Sequence, residues 1–208
     1  MRVIAGTYRS RPLVAPRGQG TRPTSDRLRE TLFNILASRI SGASFADLYA
    51  GTGAVGIEAL SRGASHVLFA EHAAPAVSVL RTNLQTLGIT AGFTLEARSA
   101  LSALDRVLDR IHSQVLNAAH EPGNRIKSPP PVFDIVFLDP PYEAVSEYTS
   151  ALALLGSTRS RPLLARDALI VAEHSSKSPL PESFGTLQQT RVLKQGDAAL
   201  TFYSQRDC

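Results

Sequence analysis

The chain has 208 residues, of which 43% are hydrophobic and 19% are charged, as in an ordinary globular protein with one substantial core. Its apolar runs are far shorter than the ~20 residues that span a bilayer, and its first residues lack a signal-peptide pattern. The single cysteine, Cys208, excludes an intrachain disulfide, and the five histidines show no metal-binding spacing. We therefore expect a cytoplasmic protein with no metal and no membrane partner.

The net charge of +4 is concentrated near the N-terminus, where residues 1–40 contain eight arginines and no lysine against two carboxylates. This segment predicts a polyanion contact, because arginine binds phosphate in a bidentate manner and stacks on bases. A solvated basic face without a partner is the alternative. We expect a hairpin or extended arm over 2–15, a loop over 16–24, and a helix from Thr24 or Ser25 to about residue 40.

From residue 45 onward, strand and helix patterns alternate. Strands are predicted at 45–50, 66–71, 92–97, 133–138, 168–173, 186–193 and 198–204, and the last two are expected to pair as a hairpin. Helices are predicted from the glycine-rich turn to about residue 62 and at 75–87, 100–118 and 144–155. A polar, proline-rich insertion occupies 120–131. The pattern predicts an α/β fold with a mostly parallel seven-stranded sheet flanked by helices, in which 43–208 form the main domain and 1–42 an N-terminal extension.

A glycine-rich turn follows the first of these strands. Gly51, Gly53 and Gly56 match the spacing of a dinucleotide-binding loop, and Glu71 ends the next strand, where an acid can bind a ribose diol. Asp47, inside the first strand, gives no advantage for binding a pyrophosphate but suits the positively charged tail of S-adenosylmethionine. The alternative for Asp47 is a carboxylate that only accepts backbone N–H groups of the loop.

A stiff corner ends the fourth predicted strand. Asp139, Pro140, Pro141 and Tyr142 follow the apolar run 133–138, and the two prolines stop the strand at the edge where open α/β sheets bind ligands. The Asp139 carboxylate and the Pro140 carbonyl could accept the two N–H bonds of a nucleobase amine, and Tyr142 could stack on the flipped-out base. An ordinary strand-ending turn is the alternative.

These motifs resemble a known family. The stretch from Asp47 to Gly56 resembles motif I of class I methyltransferases, and Asp-Pro-Pro-Tyr resembles their amino-methyltransferase motif. The N-terminal Arg-Val-Ile-Ala-Gly and Thr21-Arg-Pro-Thr-Ser-Asp-Arg-Leu-Arg-Glu30 resemble the RsmD-type family, whose members methylate N2 of one guanine in small-subunit (16S) ribosomal RNA. The resemblance covers nearly the whole chain.

The resemblance implies a Rossmann-like class I fold, S-adenosylmethionine as cofactor and ribosomal RNA as partner, within an assembling small subunit; we expect a monomer. The cofactor-binding candidates are Asp47, Gly51, Gly53, Glu71, His72, Ser99, Ala100 and Asp139. The RNA-binding candidates are Arg9, Arg11, Arg22, Thr24, Arg27 and Arg29. Two departures are Ser99, where the family usually has an acid for the adenine amine, and a longer segment over 107–131.

Three other functions remain open at this point. Asp-Pro-Pro-Tyr also suits an N6-adenine methyltransferase acting on DNA or RNA, and the glycine loop alone suits an NAD(P)-dependent oxidoreductase. A non-catalytic RNA-binding protein would need only the arginine-rich extension. The run Glu173-His174-Ser175 ends a strand at the same sheet edge and could line the pocket, whereas Asn83 is predicted to be a helix-surface residue.

Overall fold

A single mixed sheet forms the centre of the protein. The computed structural model describes residues 1–15, 26–120 and 132–206, with the backbone alone for 115–120. The elements in chain order are α1 (Asp26–Ile35), β1 (Ser44–Asp47), α2 (Ala54–Ser61), β2 (His66–Ala70), α3 (Ala74–Thr86), β3 (Phe93–Glu96), α4 (Ala100–His120), β4 (Phe133–Leu138), α5 (Val145–Leu155), a 3-10 turn (Thr158–Leu163), β5 (Leu164–Ser175), β6 (Ser183–Phe184), β7 (Leu187–Gln195) and β8 (Ala198–Gln205).

The described strands are arranged in the order β3-β2-β1-β4-β5-β8-β7-β6. Strands β1 to β5 are parallel, while β6, β7 and β8 are antiparallel to their neighbours. The prediction of a mostly parallel α/β sheet is confirmed, as is the β7–β8 hairpin. Eight strands are described rather than the predicted seven, because the two-residue strand β6 is too short to produce a periodic signal.

Helices cover both faces of the sheet because the strands alternate apolar side chains between them. Phe45, Phe69 and Phe137 point to the face covered by α1, α2 and α3. Ala46, Leu68 and Val136 point to the face covered by α4 and α5. No helix within the described ranges is long and apolar enough to cross a membrane.

The strand order creates a switch point between β1 and β4. The chain first builds outward from β1 through β2 to β3, then returns to the other side of β1 with β4. Asp47 pairs with Phe137 across this parallel ladder, and the Leu48 N–H donates to the Phe137 carbonyl at 3.0 Å. Ligands of open α/β sheets bind at such a point, beyond the carboxyl ends of the strands. The glycine loop after β1 and the corner after β4 therefore leave the sheet side by side.

The N-terminal segment packs on the face of α1–α3. Val3 and Leu13 belong to the same core as Phe45. Residues 2–12 close on themselves through one antiparallel bridge between Arg2 and Pro12, so the arm has one bridge rather than a regular hairpin. The Glu58 carboxylate of α2 accepts the Ile4 and Ala5 N–H groups at 2.7 and 3.0 Å. A buried side chain of α2 thus holds the arm.

Helix α1 is shorter than predicted. It ends at Ile35, and residues 36–39 continue as turns in which the Arg39 N–H bonds the Leu36 carbonyl at 2.9 Å. Leu28, Leu32, Phe33 and Leu36 of the predicted apolar stripe are buried, whereas Ile35 is half-buried. The apolar periodicity continues past the end of the helix because the Leu36 N–H still bonds the Leu32 carbonyl, four residues earlier, at 3.0 Å, which keeps Leu36 on the core side.

Candidate active site

The corner after β4 begins where the sequence predicts the strand to end. β4 ends at Leu138, and Asp139 to Tyr142 lead into α5 at Val145. Pro140 is buried and Pro141 is exposed, and the Pro141 carbonyl accepts the Ala144 N–H at 2.8 Å. The two fixed φ angles and this turn hydrogen bond together fix the direction in which Asp139 and Tyr142 leave the sheet.

A buried tyrosine of α5 binds the backbone of the corner. The Tyr148 hydroxyl lies 2.9 Å from both the Pro140 carbonyl and the Glu173 carbonyl and donates its proton to this pair of acceptors. Burial, followed by the charge of Asp139, raises the pKa of Tyr148, which keeps the hydroxyl protonated as a donor. The sequence did not single out Tyr148, because at helical spacing from Leu152 and Leu155 it has the pattern of a core residue.

The corner is also tied to β5 by a side-chain contact. The Tyr142 hydroxyl donates to Glu173 Oε1 at 3.3 Å, and Glu173 is buried with 4% exposure. Of the run Glu173–Ser175, Glu173 therefore joins the corner. The His174 ring instead bonds the Thr201 hydroxyl at 2.7 Å and the carbonyls of Ser175 and Ser178, and burial lowers its pKa.

The glycine loop after β1 requires its glycines for two different reasons. Gly53, the residue before α2, has φ of 81°, and a Cβ there would lie 2.1 Å from Leu80 Cδ1. Gly56, inside α2, faces the Phe69 ring, where a Cβ would come within 2.2 Å. Gly53 thus allows the left-handed turn, and Gly56 allows the close packing of helix on strand.

Asp47 is fully buried at the end of β1. Its carboxylate accepts the Gly56 N–H at 2.9 Å, the backbone contact that was the structural alternative for this residue. Burial raises the pKa of Asp47 to about 7, opposed by the Gly56 hydrogen bond and supported by the charge of Glu71. A cationic ligand group near these two carboxylates would lower that pKa again.

Glu71 holds the loop from the end of β2. Its carboxylate accepts the Gly51 N–H at 2.9 Å and the Ala73 N–H at 2.7 Å. His72 beside it is exposed, and its Nδ1 lies 3.7 Å from Glu71 Oε1. The structure thus brings the predicted residues Asp47, Gly51 and Glu71 together around one loop.

Ser99 acts as the N-cap of α4. Its hydroxyl accepts the Ser102 N–H at 3.3 Å and its carbonyl accepts the Ala103 N–H, while Ala100 is buried. The nearby buried carboxylate of Glu96 is paired with Arg98, Arg106 and Arg110 at 3.0 to 3.3 Å. Ser99 and Ala100 therefore place a hydroxyl and backbone groups between the end of β3 and the start of α4.

The arginine candidates fall into different environments. Arg9, Arg11 and Arg27 are exposed, and Arg11 donates to the Thr86 carbonyl at 3.0 Å. Arg22 and Thr24 lie outside the described residues.

Arg29 is not on the surface, where its sequence position had suggested an RNA contact. It is fully buried, donates to Asp26 Oδ1 at 2.9 Å and to the Arg2 carbonyl, and lies 4.0 Å from the Glu58 carboxylate. Burial lowers its pKa, opposed by the charges of Asp26 and Glu58. Its charge therefore serves the packing of α1 on α2, and we remove it from the RNA-binding candidates.

Asn83 was predicted to lie on a helix surface, and this is wrong. Its side chain is buried and accepts the Val14 N–H at 2.8 Å, while its amide donates to the carbonyls of Val14 and Thr52 at 3.1 and 2.9 Å. One side chain therefore joins the end of the arm to the glycine loop. A polar residue at a core-facing helical position, three after Leu80, is the only sequence signal for this role.

Comparison with solved structures defines the fold class. The Escherichia coli protein yhhF matches with a TM-score of 0.73 and 32% identity, covering 99% of this chain and 97% of that chain. The Haemophilus influenzae protein HI0767 matches with a TM-score of 0.69 and 30% identity, covering 100% and 99%. The fold is the Rossmann-like fold of class I methyltransferases.

The family follows from the sequence comparisons. The family described as conserved hypothetical protein 95 matches residues 1–204. One curated relative is the ribosomal RNA small subunit methyltransferase D of H. influenzae, which is 35% identical over 91% of this chain and 87% of the relative. The protein of the same name from E. coli K12 is 34% identical over 99% of this chain and 90% of the relative. The chain belongs to this family, the RsmD family that its motifs resemble.

Proposed function

We propose that this protein transfers a methyl group from S-adenosylmethionine to the exocyclic N2 of one guanine in small-subunit ribosomal RNA. The observation that carries the proposal is the adjacency of the two motifs, since the Asp47 glycine loop and the Asp139 corner leave paired strands at the switch point. Relatives named small-subunit rRNA methyltransferase support the substrate class.

The residues of the loop fit the proposed cofactor. Asp47 and Glu71 place two carboxylates at neighbouring strand ends, and burial raises the pKa of Asp47, so a cationic amino-acid tail is electrostatically favoured there. Because Gly51 and Gly53 have no side chains, the cofactor could approach the backbone of the loop closely. Glu71 and His72 would face the ribose, and Ser99 and Ala100 the adenine. S-adenosylmethionine supplies an activated methyl group on a sulfonium leaving group.

The corner supplies the polar groups that a nucleobase amine needs. The lone pair of such an amine is delocalised into its ring, so acceptors that hold both N–H bonds draw the nitrogen toward sp³ geometry and aim its lone pair. Asp139 and the Pro140 carbonyl are these acceptors, and Tyr142 stacks on the base. Pro141 keeps the corner rigid. Because the acceptors are fixed before the base arrives, positioning and electrostatics carry the catalysis.

The RNA contact is assigned to the N-terminal extension. The exposed cations on or beside the arm are Arg9, Arg11 and Arg27. We also include Arg22 and Thr24, which are candidates from the sequence alone. Phosphate binding by such residues positions RNA without reading its sequence. We propose that a monomer acts in the cytoplasm on an assembling small subunit.

Mass mapping of modified nucleotides tests the proposal. Small-subunit rRNA from a strain lacking the gene should lose a single N2-methylguanosine, and the wild-type gene should restore it, whereas Asp139→Ala should not. Loss of an N6-methyladenosine instead would assign the enzyme to adenine, and an unchanged modification map would refute an rRNA substrate.

A further inference from the structure

Glu173 lies at the corner but has no part in the chemistry above. We propose that Glu173 determines the choice of guanine: its carboxylate accepts the N1–H of the target guanine and repels the N1 lone pair of adenine. This inference rests on the proposed function, since it concerns the base that the corner methylates.

Two contacts place Glu173 beside the corner to which the reacting amine is proposed to bind. Tyr148 bonds the backbone carbonyls of Pro140 and Glu173 with one hydroxyl, each at 2.9 Å, so the two residues are held as neighbours. The Glu173 carboxylate in turn bonds the hydroxyl of Tyr142, whose ring is proposed to stack on the base. The acceptor carbonyl, the stacking ring and this carboxylate therefore form one connected group.

The burial of Glu173 strengthens a hydrogen bond that its side chain makes with a correctly placed donor. The residue is 4% exposed and lies near the C-terminal end of β5, which is paired in parallel with β4. In such a low-dielectric position, an acceptor attracts a correctly placed donor more strongly than an exposed acceptor does. It also repels the lone pair of another acceptor more strongly. The position thus suits discrimination between bases.

The two purines differ at the atom next to the amine. In guanine, the 2-amine is adjacent to N1–H, a donor, so Asp139 and Pro140 can hold the amine while Glu173 accepts N1–H. In adenine, the 6-amine is adjacent to N1, an acceptor, which would face a carboxylate. A site built around a hydrogen bond rejects an analogue that lacks it by roughly 100-fold or more.

Glu173 could instead act only by holding Tyr142. Two variants separate these roles. Glu173→Gln keeps the side-chain size and an oxygen for the Tyr142 hydroxyl but removes the charge, and its amide can donate to an acceptor. Tyr142→Phe keeps the aromatic ring and the Glu173 carboxylate but removes the hydrogen bond from the Tyr142 hydroxyl to Glu173. Base discrimination should change in Glu173→Gln and remain in Tyr142→Phe.

The test uses the full-length enzyme and small-subunit rRNA with one substitution at the position that the wild-type enzyme methylates. 2-Aminopurine is the diagnostic probe, because it has the same 2-amine as guanine but an N1 without hydrogen. We expect kcat/KM of the wild-type enzyme to favour guanine over 2-aminopurine by roughly 100-fold. In Glu173→Gln the ratio should fall below about 10-fold, because the amide can bond either N1.

Each outcome decides a different point. Equal use of guanine and 2-aminopurine by the wild-type enzyme would overturn the inference without any variant. An unchanged ratio in Glu173→Gln, or the same change in Tyr142→Phe, would also overturn it while leaving the proposed function intact. Failure of the wild-type enzyme to form N2-methylguanosine would instead count against the proposed function.

Discussion

The corner after β4, which is proposed to be catalytic, and the N-terminal arm are stabilised in different ways. Asp139 to Tyr142 are fixed mainly by their own covalent geometry, with two prolines and one turn, and a buried hydroxyl fastens them to β5. Residues 1–15 have one β-bridge and a few backbone hydrogen bonds of their own, and they depend further on distant side chains, chiefly Glu58, Ser61 and Asn83. The direction of the corner is therefore determined largely by local geometry, whereas the position of the arm is determined largely by buried polar side chains of α2 and α3.

The largest expected effect comes from removing the carboxylate that holds the arm. Glu58→Ala leaves the Ile4 and Ala5 N–H groups without their acceptor and removes one of the two carboxylates beside the buried Arg29, the other being Asp26. Breaking such a buried ionic cluster lowers the free energy of unfolding by ~3–5 kcal/mol, measured by urea unfolding.

Glu30→Ala is the matched control for Glu58→Ala, since Glu30 is an exposed carboxylate on α1. Its free energy of unfolding should change by less than ~0.5 kcal/mol. An equally small change in Glu58→Ala would mean that the arm does not depend on the main domain.

Loss of the Tyr148 hydroxyl should lower both the rate of methyl transfer and the free energy of unfolding. Tyr148→Phe removes the donor to Pro140 and Glu173, which costs ~1–3 kcal/mol of stability. The loosened acceptor carbonyl should lower kcat about 10-fold, within the range that small misplacements cost, while KM for the cofactor stays unchanged.

Tyr203→Phe gives the control for this rate effect. Tyr203 is also buried, and its hydroxyl bonds another proline carbonyl, that of Pro181, at 2.8 Å, away from the corner. It should lose comparable stability with no change in kcat. A similar fall in kcat in both variants would attribute the effect to general loosening.

Asn83 links the arm to the glycine loop, because its side chain bonds Val14 in the arm and Thr52 in the loop. Asn83→Leu keeps the approximate shape but removes the bonds to Val14 and Thr52. We expect ~1–3 kcal/mol of lost stability and a higher KM for the cofactor with kcat unchanged. Asn34→Leu, at an exposed position of α1, is the control, and an unchanged cofactor KM in Asn83→Leu would refute the link.

The smallest effect is expected from the exposed arginines of the arm. Arg9→Glu with Arg11→Glu should flatten the slope of log binding constant against log salt by roughly one for each phosphate that the arm no longer binds. Arg166→Glu makes the same kind of charge reversal near the start of β5, at the end of the sheet opposite the active site. An equal change of slope in Arg166→Glu would show that the arm is not the specific contact surface.

The sequence predicts local features better than distant contacts. β4 is found at the predicted 133–138, since a continuous apolar run stopped by two prolines has one simple interpretation. The residues around the glycine loop are likewise recognisable from their spacing. Glu58, Asn83 and Arg29 were missed or misplaced, because each is buried by partners more than 20 residues away, and no local pattern encodes such a contact.

The most direct test of the central claim is single-turnover methyl transfer with Asp139→Ala. The corner should lose one of its two amine acceptors, so the rate should fall about 100- to 1000-fold, as when one preorganised polar group is removed from an active site. RNA affinity and thermal stability should stay at wild-type values. A variant that binds RNA normally and transfers methyl groups at the wild-type rate would contradict the assignment of the corner as the catalytic site.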